Sequence, residues 1–95
     1  MKGNILRIAE KIYEISNPTK DLRRKWEEDG VDPHSKEWDL TNNVSMTLSD
    51  DHMMWYVWLH DHEQNSPYFK CVPRVGMYTK EEIAAILKAQ HWVYI

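Results

Sequence analysis

Several features that would point to a familiar function are scarce in this chain of 95 residues. Its one cysteine, Cys71, excludes an internal disulfide and a zinc site built from several cysteines, and it fits a reducing compartment. The three glycines lie far apart at positions 3, 30 and 76, so no glycine-rich loop is present to hold a phosphate. No serine lies in a nucleophile-elbow motif. The sequence therefore gives no support to an enzyme, and we expect neither catalytic residues nor a cofactor.

Long apolar runs are also missing. No stretch approaches the roughly 20 residues that a membrane helix needs. The N-terminal segment interrupts its apolar positions with charged residues such as Arg7 and Lys11, unlike a signal peptide. The net charge of -3 gives little non-specific attraction to nucleic acid or to anionic lipid. We therefore expect one soluble, cytoplasmic domain over residues 1–95, without a membrane partner and without a general nucleic-acid-coating role.

The aromatic composition is uneven, with five tryptophans and five tyrosines against a single phenylalanine. Tryptophan and tyrosine combine a large apolar body with a polar tip, and they anchor either small cores or recognition surfaces. The sequence therefore raises the question of which aromatic residues belong to the core and which to a surface that binds a partner.

Apolar residues at three- and four-residue spacing predict helices over residues 4–16, 20–29 and 80–90. Thr19 is expected to cap the second helix and Gly30 to end it. A capping box at residues 79–82 predicts the start of the last helix. The segment 32–38, in which Asp precedes Pro, predicts one or two further helical turns.

Alternating apolar and polar residues predict strands over residues 44–48, 53–59 and 68–75. Pro73 favours an edge position for the third of these strands. The apolar tail, residues 92–95, is expected to pack on the body of the domain or to pair as a fourth strand. The order of elements predicts an α+β fold in two layers, with N-terminal helices, a three-stranded antiparallel meander and a C-terminal helix.

Side chains of a strand alternate between its two faces, so residues of equal parity share a face. The apolar set is expected to face the helices: Val44, Met46, Leu48, Met53, Trp55, Val57, Leu59, Phe69, Cys71, Pro73 and Val75. The amphipathic set is expected on the outer face: Ser45, Thr47, Met54, Tyr56, Trp58, His60, Tyr68, Lys70, Val72 and Arg74. Large exposed apolar patches usually mark binding sites. The outer aromatics are therefore either recognition residues or a satellite core, covered by the tail or by a second copy of the chain.

Charge is also segregated along the sequence. Residues 39–66 contain carboxylates and neither lysine nor arginine, whereas residues 20–25 concentrate positive charge on the second helix. Such a separation favours oriented docking with a charged partner. The predicted partner-binding residues combine the outer aromatics with these carboxylates: Tyr56, Trp58, Tyr68, Asp50, Asp51, Asp61 and Glu63.

These features favour a non-enzymatic protein-binding module. The outer face would dock on a larger protein, and the carboxylates would direct it to a basic or nucleic-acid-binding surface. In size and lack of motifs the chain is similar to phage-encoded inhibitors of host enzymes, anti-CRISPR proteins among them. That similarity is one of genre, and it implies an inhibitor of a larger host protein.

Three alternatives use the same residues differently. The outer face would also suit a symmetric dimer, which would make the chain a self-associating structural protein. His60 and His62 project to one side of an extended strand and, with a third ligand, would hold a metal for binding or for a metal-dependent enzyme. The outer aromatics beside Lys70 and Arg74 would suit the stacking of single-stranded nucleic acid, which the neighbouring carboxylates oppose.

Overall fold

The computed structural model of the chain describes residues 2–41, 43–61, 66–74, 76–90 and 93–94, with side chains for 5–41, 43–59, 70–74 and 76–90. This part contains the helices α1 (Lys2–Ser16), α2 (Lys20–Asp29) and α3 (Lys80–Ala89). It also contains the strands β1 (Trp38–Asp39), β2 (Val44–Leu48), β3 (Met54–Asp61), β4 (Ser66–Pro73) and β5 (Val93–Tyr94). Within the described ranges, no helix has the length and apolar character needed to cross a bilayer.

The two later helices begin at the predicted local signals. The Thr19 hydroxyl accepts a hydrogen bond from the Leu22 N–H at 3.1 Å, and Gly30 ends α2 in the left-handed conformation with φ of 70°. At α3, the Thr79 hydroxyl accepts from the Glu82 N–H while the Glu82 carboxylate accepts from the Thr79 N–H. This reciprocal pair is the predicted capping box.

The predicted α+β class is confirmed. The five strands form one antiparallel sheet in which each strand pairs with its neighbour in sequence, from β1 to β5. Helices α1 and α3 contact each other and contribute to the core on one face of this sheet. The apolar tail supplies β5, which pairs with β4 as an additional strand, one of the two outcomes expected for it.

The segment between α2 and the sheet differs from the prediction. Residues 33–35 form a turn in which the Ser35 N–H donates to the Asp32 carbonyl at 3.2 Å, and no helix continues from it. Trp38 instead begins β1 opposite Met46, and its ring lies 5.3 Å from that of Trp26. The predicted helical turn was wrong. Pairing with β2 and contact with the Trp26 ring stabilise Trp38 in an extended conformation more than one or two helical turns would.

The core lies between the helix pair and one sheet face. It consists of the buried apolar residues Ile8, Ala9, Ile12, Leu40, Val44, Met46, Trp55, Val57, Val72, Ile83, Ala84 and Leu87. The predicted helix-facing sets of β2 and β3 are confirmed except at Met53, since Met46 and Val57 are fully buried and paired with each other, whereas Met53 precedes β3 and is 48% exposed. The Trp55 indole N–H donates to the Ser16 hydroxyl at 2.8 Å, so this large core residue has a partner for its polar atom.

The predicted face assignment of β4 is wrong. Trp55 pairs with Val72 and Val57 pairs with Lys70, and directly opposite residues of two antiparallel strands lie on the same face. The side chains of Val72 and Lys70 therefore face the helices, contrary to the expectation that they lie on the outer face. Cys71 lies between them in sequence and consequently belongs to the outer face, not to the core.

Lys70 is buried on the helix-facing side, where it is 8% exposed. Its ammonium donates a hydrogen bond of 2.6 Å to the carbonyl of Leu87. Leu87 lies in the last turn of α3, where carbonyls lack intrahelical donors and carry the negative end of the helix dipole. Burial lowers the pKa of Lys70 from its ordinary value, because desolvation disfavours the charged form. The end of α3 thus provides the partner that allows a lysine to occupy the core side of the sheet.

The position of Pro73 in β4 agrees in part with the predicted edge location. β5 pairs with β4 only at Tyr68 and Phe69, so the C-terminal half of β4 lies beyond the described part of β5. There the Gln90 side chain accepts from the Cys71 N–H at 3.0 Å and donates to the Cys71 carbonyl. One side-chain amide therefore takes the place of a strand partner at this edge.

Candidate interaction surface

The register of β2, β3 and β4 shows which residues lie together on the outer face of the sheet. Thr47 pairs with Tyr56, and Tyr56 pairs in turn with Cys71. Trp58 pairs with Ser45 and lies two residues from Tyr56 on the same face. The Tyr56 and Trp58 rings meet edge to face, with centroids 6.5 Å apart and planes inclined at 72°. Both side chains are half-buried, so they form a continuous aromatic surface that the helices do not cover.

Polar atoms on this outer face are paired with one another. The Trp58 indole N–H donates to the Thr47 hydroxyl at 2.9 Å, and the Ser45 hydroxyl donates to the Asp39 carboxylate at 3.1 Å. These bonds join residues on adjacent strands, so each fixes the orientation of a side chain relative to the backbone of its neighbour. The Trp58 indole is therefore oriented by a hydrogen bond within the sheet itself.

The turn between β2 and β3 holds the predicted acidic residues Asp50 and Asp51. The Asp51 carboxylate accepts from the Ser49 hydroxyl at 2.6 Å and from the Met53 N–H at 3.0 Å. Both hydrogen bonds favour the charged form and so lower the pKa of Asp51 from its ordinary value, and the bond from Ser49 has the larger effect. His52 adopts φ of 63° in this turn, a left-handed conformation that is uncommon for a residue with a side chain. Asp51 is therefore a fixed, ionised carboxylate at neutral pH.

The acidic turn and the aromatic surface meet. Asp50, Asp51 and Tyr56, together with Leu48 and Ser49, line one shallow depression of about 420 Å³. The sequence predicts these carboxylates and this ring as separate features, and the register of β2 with β3 makes them neighbours. We name the half-buried aromatics Tyr56 and Trp58 and this acidic turn together the outer site.

The remaining predicted site residues lie outside the side chains that the structure describes. This holds for Tyr68 and Asp61, for Glu63, and for the metal candidates His60 and His62. Tyr68 was predicted to share the outer face with Tyr56, but its backbone pairs with Leu59, a residue of the helix-facing set, so this prediction is wrong. Among the described residues no group of three or more His, Cys, Asp or Glu side chains is arranged to hold a metal.

Cys71 lies on the outer face beside Tyr56 and is half-buried. Burial raises the pKa of its thiol, because removal from water disfavours the thiolate. Cys71 therefore contributes a small, weakly polar surface to the outer face.

A second concavity, which the sequence did not predict, shares no lining residue with the depression at Asp50, Asp51 and Tyr56. It is a groove of about 460 Å³ bordered by the end of α1, by α2, by residues 31–34 and by Trp55 and Arg74, and we name it the α2 groove. Arg74, expected on the outer face, lies at this groove, where its guanidinium contacts His34 at 3.1 Å and the His52 carbonyl at 3.2 Å. Its lining residues come from five segments between positions 15 and 74, so no local pattern connects them.

No family model, no curated protein and no solved structure matches the chain. The functional argument therefore depends on the geometry and chemistry of the outer site and of the α2 groove.

Proposed function

We propose that the chain is a non-enzymatic protein-binding module that docks through the outer site. The observation that carries this proposal is the shared depression of Tyr56, Asp50 and Asp51. An aromatic ring beside carboxylates suits a cationic side chain, because the ring face attracts the cation and the carboxylate oxygens accept its hydrogen bonds. The outer site therefore suits a lysine or an arginine presented by a partner protein.

The neighbouring surface supports a protein partner over a small basic molecule. Trp58 extends the aromatic area away from the depression, and its indole is already fixed by Thr47. A half-buried, fixed aromatic pair loses little conformational entropy on binding, which is a property of residues that dominate binding energy at interfaces. The depression would thus receive one basic side chain, while the aromatic pair packs against the apolar surface around it.

In this proposal the chain inhibits a larger protein by covering one of its binding surfaces. A module with a net charge of -3 and an acidic, aromatic docking surface suits the basic, nucleic-acid-binding surface of a larger protein. Covering that surface would block access of the nucleic acid. In this proposal the chain acts in the cytoplasm as a small inhibitor of the phage type, similar in role to anti-CRISPR proteins.

Affinity capture with the immobilised chain tests the proposal. Tyr56→Ala and Asp50→Lys should each reduce capture of the cognate partner by about tenfold or more, as expected for central interface residues. Tyr13→Ala and Asp29→Lys make the same chemical changes at exposed positions on α1 and α2 and serve as matched controls. A protein retained by both controls and lost by both outer-site variants supports the proposal; equal capture by all folded variants contradicts it.

Light scattering separates a partner from a second copy of the chain. A stable dimer would double the mass of 11.4 kDa at micromolar concentration, since interfaces of standard size hold at such concentrations. If Tyr56→Ala converted that dimer to a monomer, the outer site would be a self-association surface and the inhibitor proposal would be wrong.

A further inference from the structure

The α2 groove has an aromatic and apolar lining and shares no lining residue with the depression of the outer site. Trp26 and Trp55 contribute to it from α2 and β3, with Ile15 and Val31 beside them. Its volume of about 460 Å³ lies in the range of small-molecule sites, which span roughly 300–1,000 Å³. Trp26 is held by its contact with Trp38, and the Trp55 indole by its bond to Ser16, so both are fixed before a ligand binds.

The charged residues of the groove include Arg74, whose guanidinium lies 3.1 Å from the His34 Nε2 atom. The other ring nitrogen of His34, Nδ1, lies 3.5 Å from the Asp32 carboxylate. The other contact of Arg74 is with the carbonyl of His52. Within the described residues no carboxylate forms an ion pair with Arg74 or with Arg23, the second arginine of the groove. Both cationic charges are therefore available to an anion.

The balance of charge restricts the anion. Among the residues that line the groove, two arginines and Glu27 leave a single net positive charge, and the Asp32 carboxylate beside His34 lies outside the lining. A monoanion matches that charge, whereas a nucleotide or another polyanion would meet repulsion from Glu27.

We propose that the α2 groove binds a small organic monoanion with a planar apolar body. The apolar body contacts Trp26, Ile15 and Val31, since only 2% of Trp55 is exposed, and a carboxylate accepts hydrogen bonds from Arg23 and Arg74. The groove shares no lining residue with the depression at Asp50, Asp51 and Tyr56, although its His34 and Arg74 contact His52 in the acidic turn.

Titration of the ¹⁵N-labelled chain with 2-naphthoate tests the proposal. The indole N–H signals of Trp26 and Trp55 should shift and saturate, with a dissociation constant on the order of 1 mM or below for a ligand of this size. The Trp58 indole lies on the outer face and should stay unchanged. The neutral analogue 2-naphthalenemethanol should bind about threefold or more weakly, because it lacks the charge that the arginines recognise.

Two adjacent arginines on α2 provide a matched pair of variants that tests whether the groove binds the anion. Both are exposed, but Arg23 lines the groove and Arg24 does not. Arg23→Gln should therefore weaken naphthoate binding about threefold or more, and Arg24→Gln by less than about twofold. Arg74→Gln should weaken it further, but that change also removes the bonds to His34 and His52, so the comparison of Arg23 with Arg24 decides.

Several outcomes would overturn the proposal. These are the absence of saturable shifts at Trp26 and Trp55, an equal shift at Trp58, equal affinity for the alcohol, and equal losses for Arg23→Gln and Arg24→Gln. None of them bears on partner capture by the outer site, which tests a different surface.

Discussion

The two faces of the sheet are held together by different interactions. On the helix-facing side Trp55 is 2% exposed, while Val57 and Val72 are completely buried against α1 and α3. On the outer face Tyr56 and Trp58 keep part of their surface in water and are oriented by cross-strand hydrogen bonds and ring contacts. Burial of apolar surface therefore supplies stability on one side, while the other side presents fixed aromatic surface without needing cover.

Lys70 is the exception that makes the comparison informative. It lies on the helix-facing side, yet its ammonium is satisfied by the Leu87 carbonyl at the end of α3. Burial alone would exclude a lysine from this position. Both faces therefore contain polar side chains. They differ in the hydrogen-bond partners that they provide: a helix carbonyl on one face and side chains of adjacent strands on the other.

The largest effect is expected from truncating neighbouring aromatics on opposite faces. Trp55→Ala should lower the free energy of unfolding by about 3–5 kcal/mol, because it leaves a cavity in the core and removes the bond to Ser16. Tyr56→Ala should cost only about 1 kcal/mol, since its side chain is half-exposed. Urea denaturation of both variants measures the two values; equal losses would show that the outer face is a second core.

Local elements were predictable from the sequence because their causes are local. Thr19 and Gly30 bound α2, and Thr79 with Glu82 starts α3, through contacts within four residues. The helix-facing sets of β2 and β3 were predictable for a similar reason, since in each strand one parity is clearly the more apolar. These signals hold whatever the rest of the chain does.

The parity rule gave the wrong face for β4, because residues of its more apolar set, Cys71 and Pro73, pair with Tyr56 and Met54 on the outer face. The pairing of Lys70 with Val57, and the carbonyl of Leu87 seventeen residues away, decide which set turns toward the helices. The residues of the outer site were predicted from the sequence. That Tyr56 and Asp50 line one depression was not, because it depends on the register of β2 with β3. The α2 groove joins five separated segments and leaves no periodic signal.

A smaller effect, with a defined pH dependence, is expected from Lys70→Met. At about pH 7 the variant should lose about 1–2 kcal/mol, because methionine leaves the buried Leu87 carbonyl without its hydrogen-bond donor. Because burial lowers the pKa of Lys70 from its ordinary 10.5, the folded chain releases this proton at a lower pH than the unfolded chain. Between the two pKa values the unfolded state binds more protons, so wild-type stability rises with pH.

Urea denaturation at a series of pH values up to about 10 measures this dependence. The advantage of the wild type over Lys70→Met should grow as the pH rises. Lys88→Met, at an exposed position in the last turn of α3, is the matched control and should show no such trend. A wild-type advantage that falls with pH would mean that the ammonium is stabilised by its surroundings more than it is penalised by burial.

The smallest effect concerns the bond that orients Trp58 on the outer face. Thr47→Val removes the hydroxyl that accepts from the indole N–H, and it should cost about 1 kcal/mol, the usual contribution of a hydrogen bond that is partly shielded from water. A double-mutant cycle with Trp58→Phe should give a coupling of about 0.5–1.5 kcal/mol, and it cancels the effect of the smaller ring. Combining Thr47→Val with Lys70→Met, on opposite faces, should give additive losses.

This coupling decides what kind of surface the outer site is. If Thr47 and Trp58 are coupled, the indole is oriented before binding, and the partner need not supply the entropy cost of ordering it. A coupling near zero would mean that Trp58 leaves Thr47 in solution. The two faces would then differ in mobility and not only in burial, and the outer site would have to become ordered on binding, at a cost in affinity.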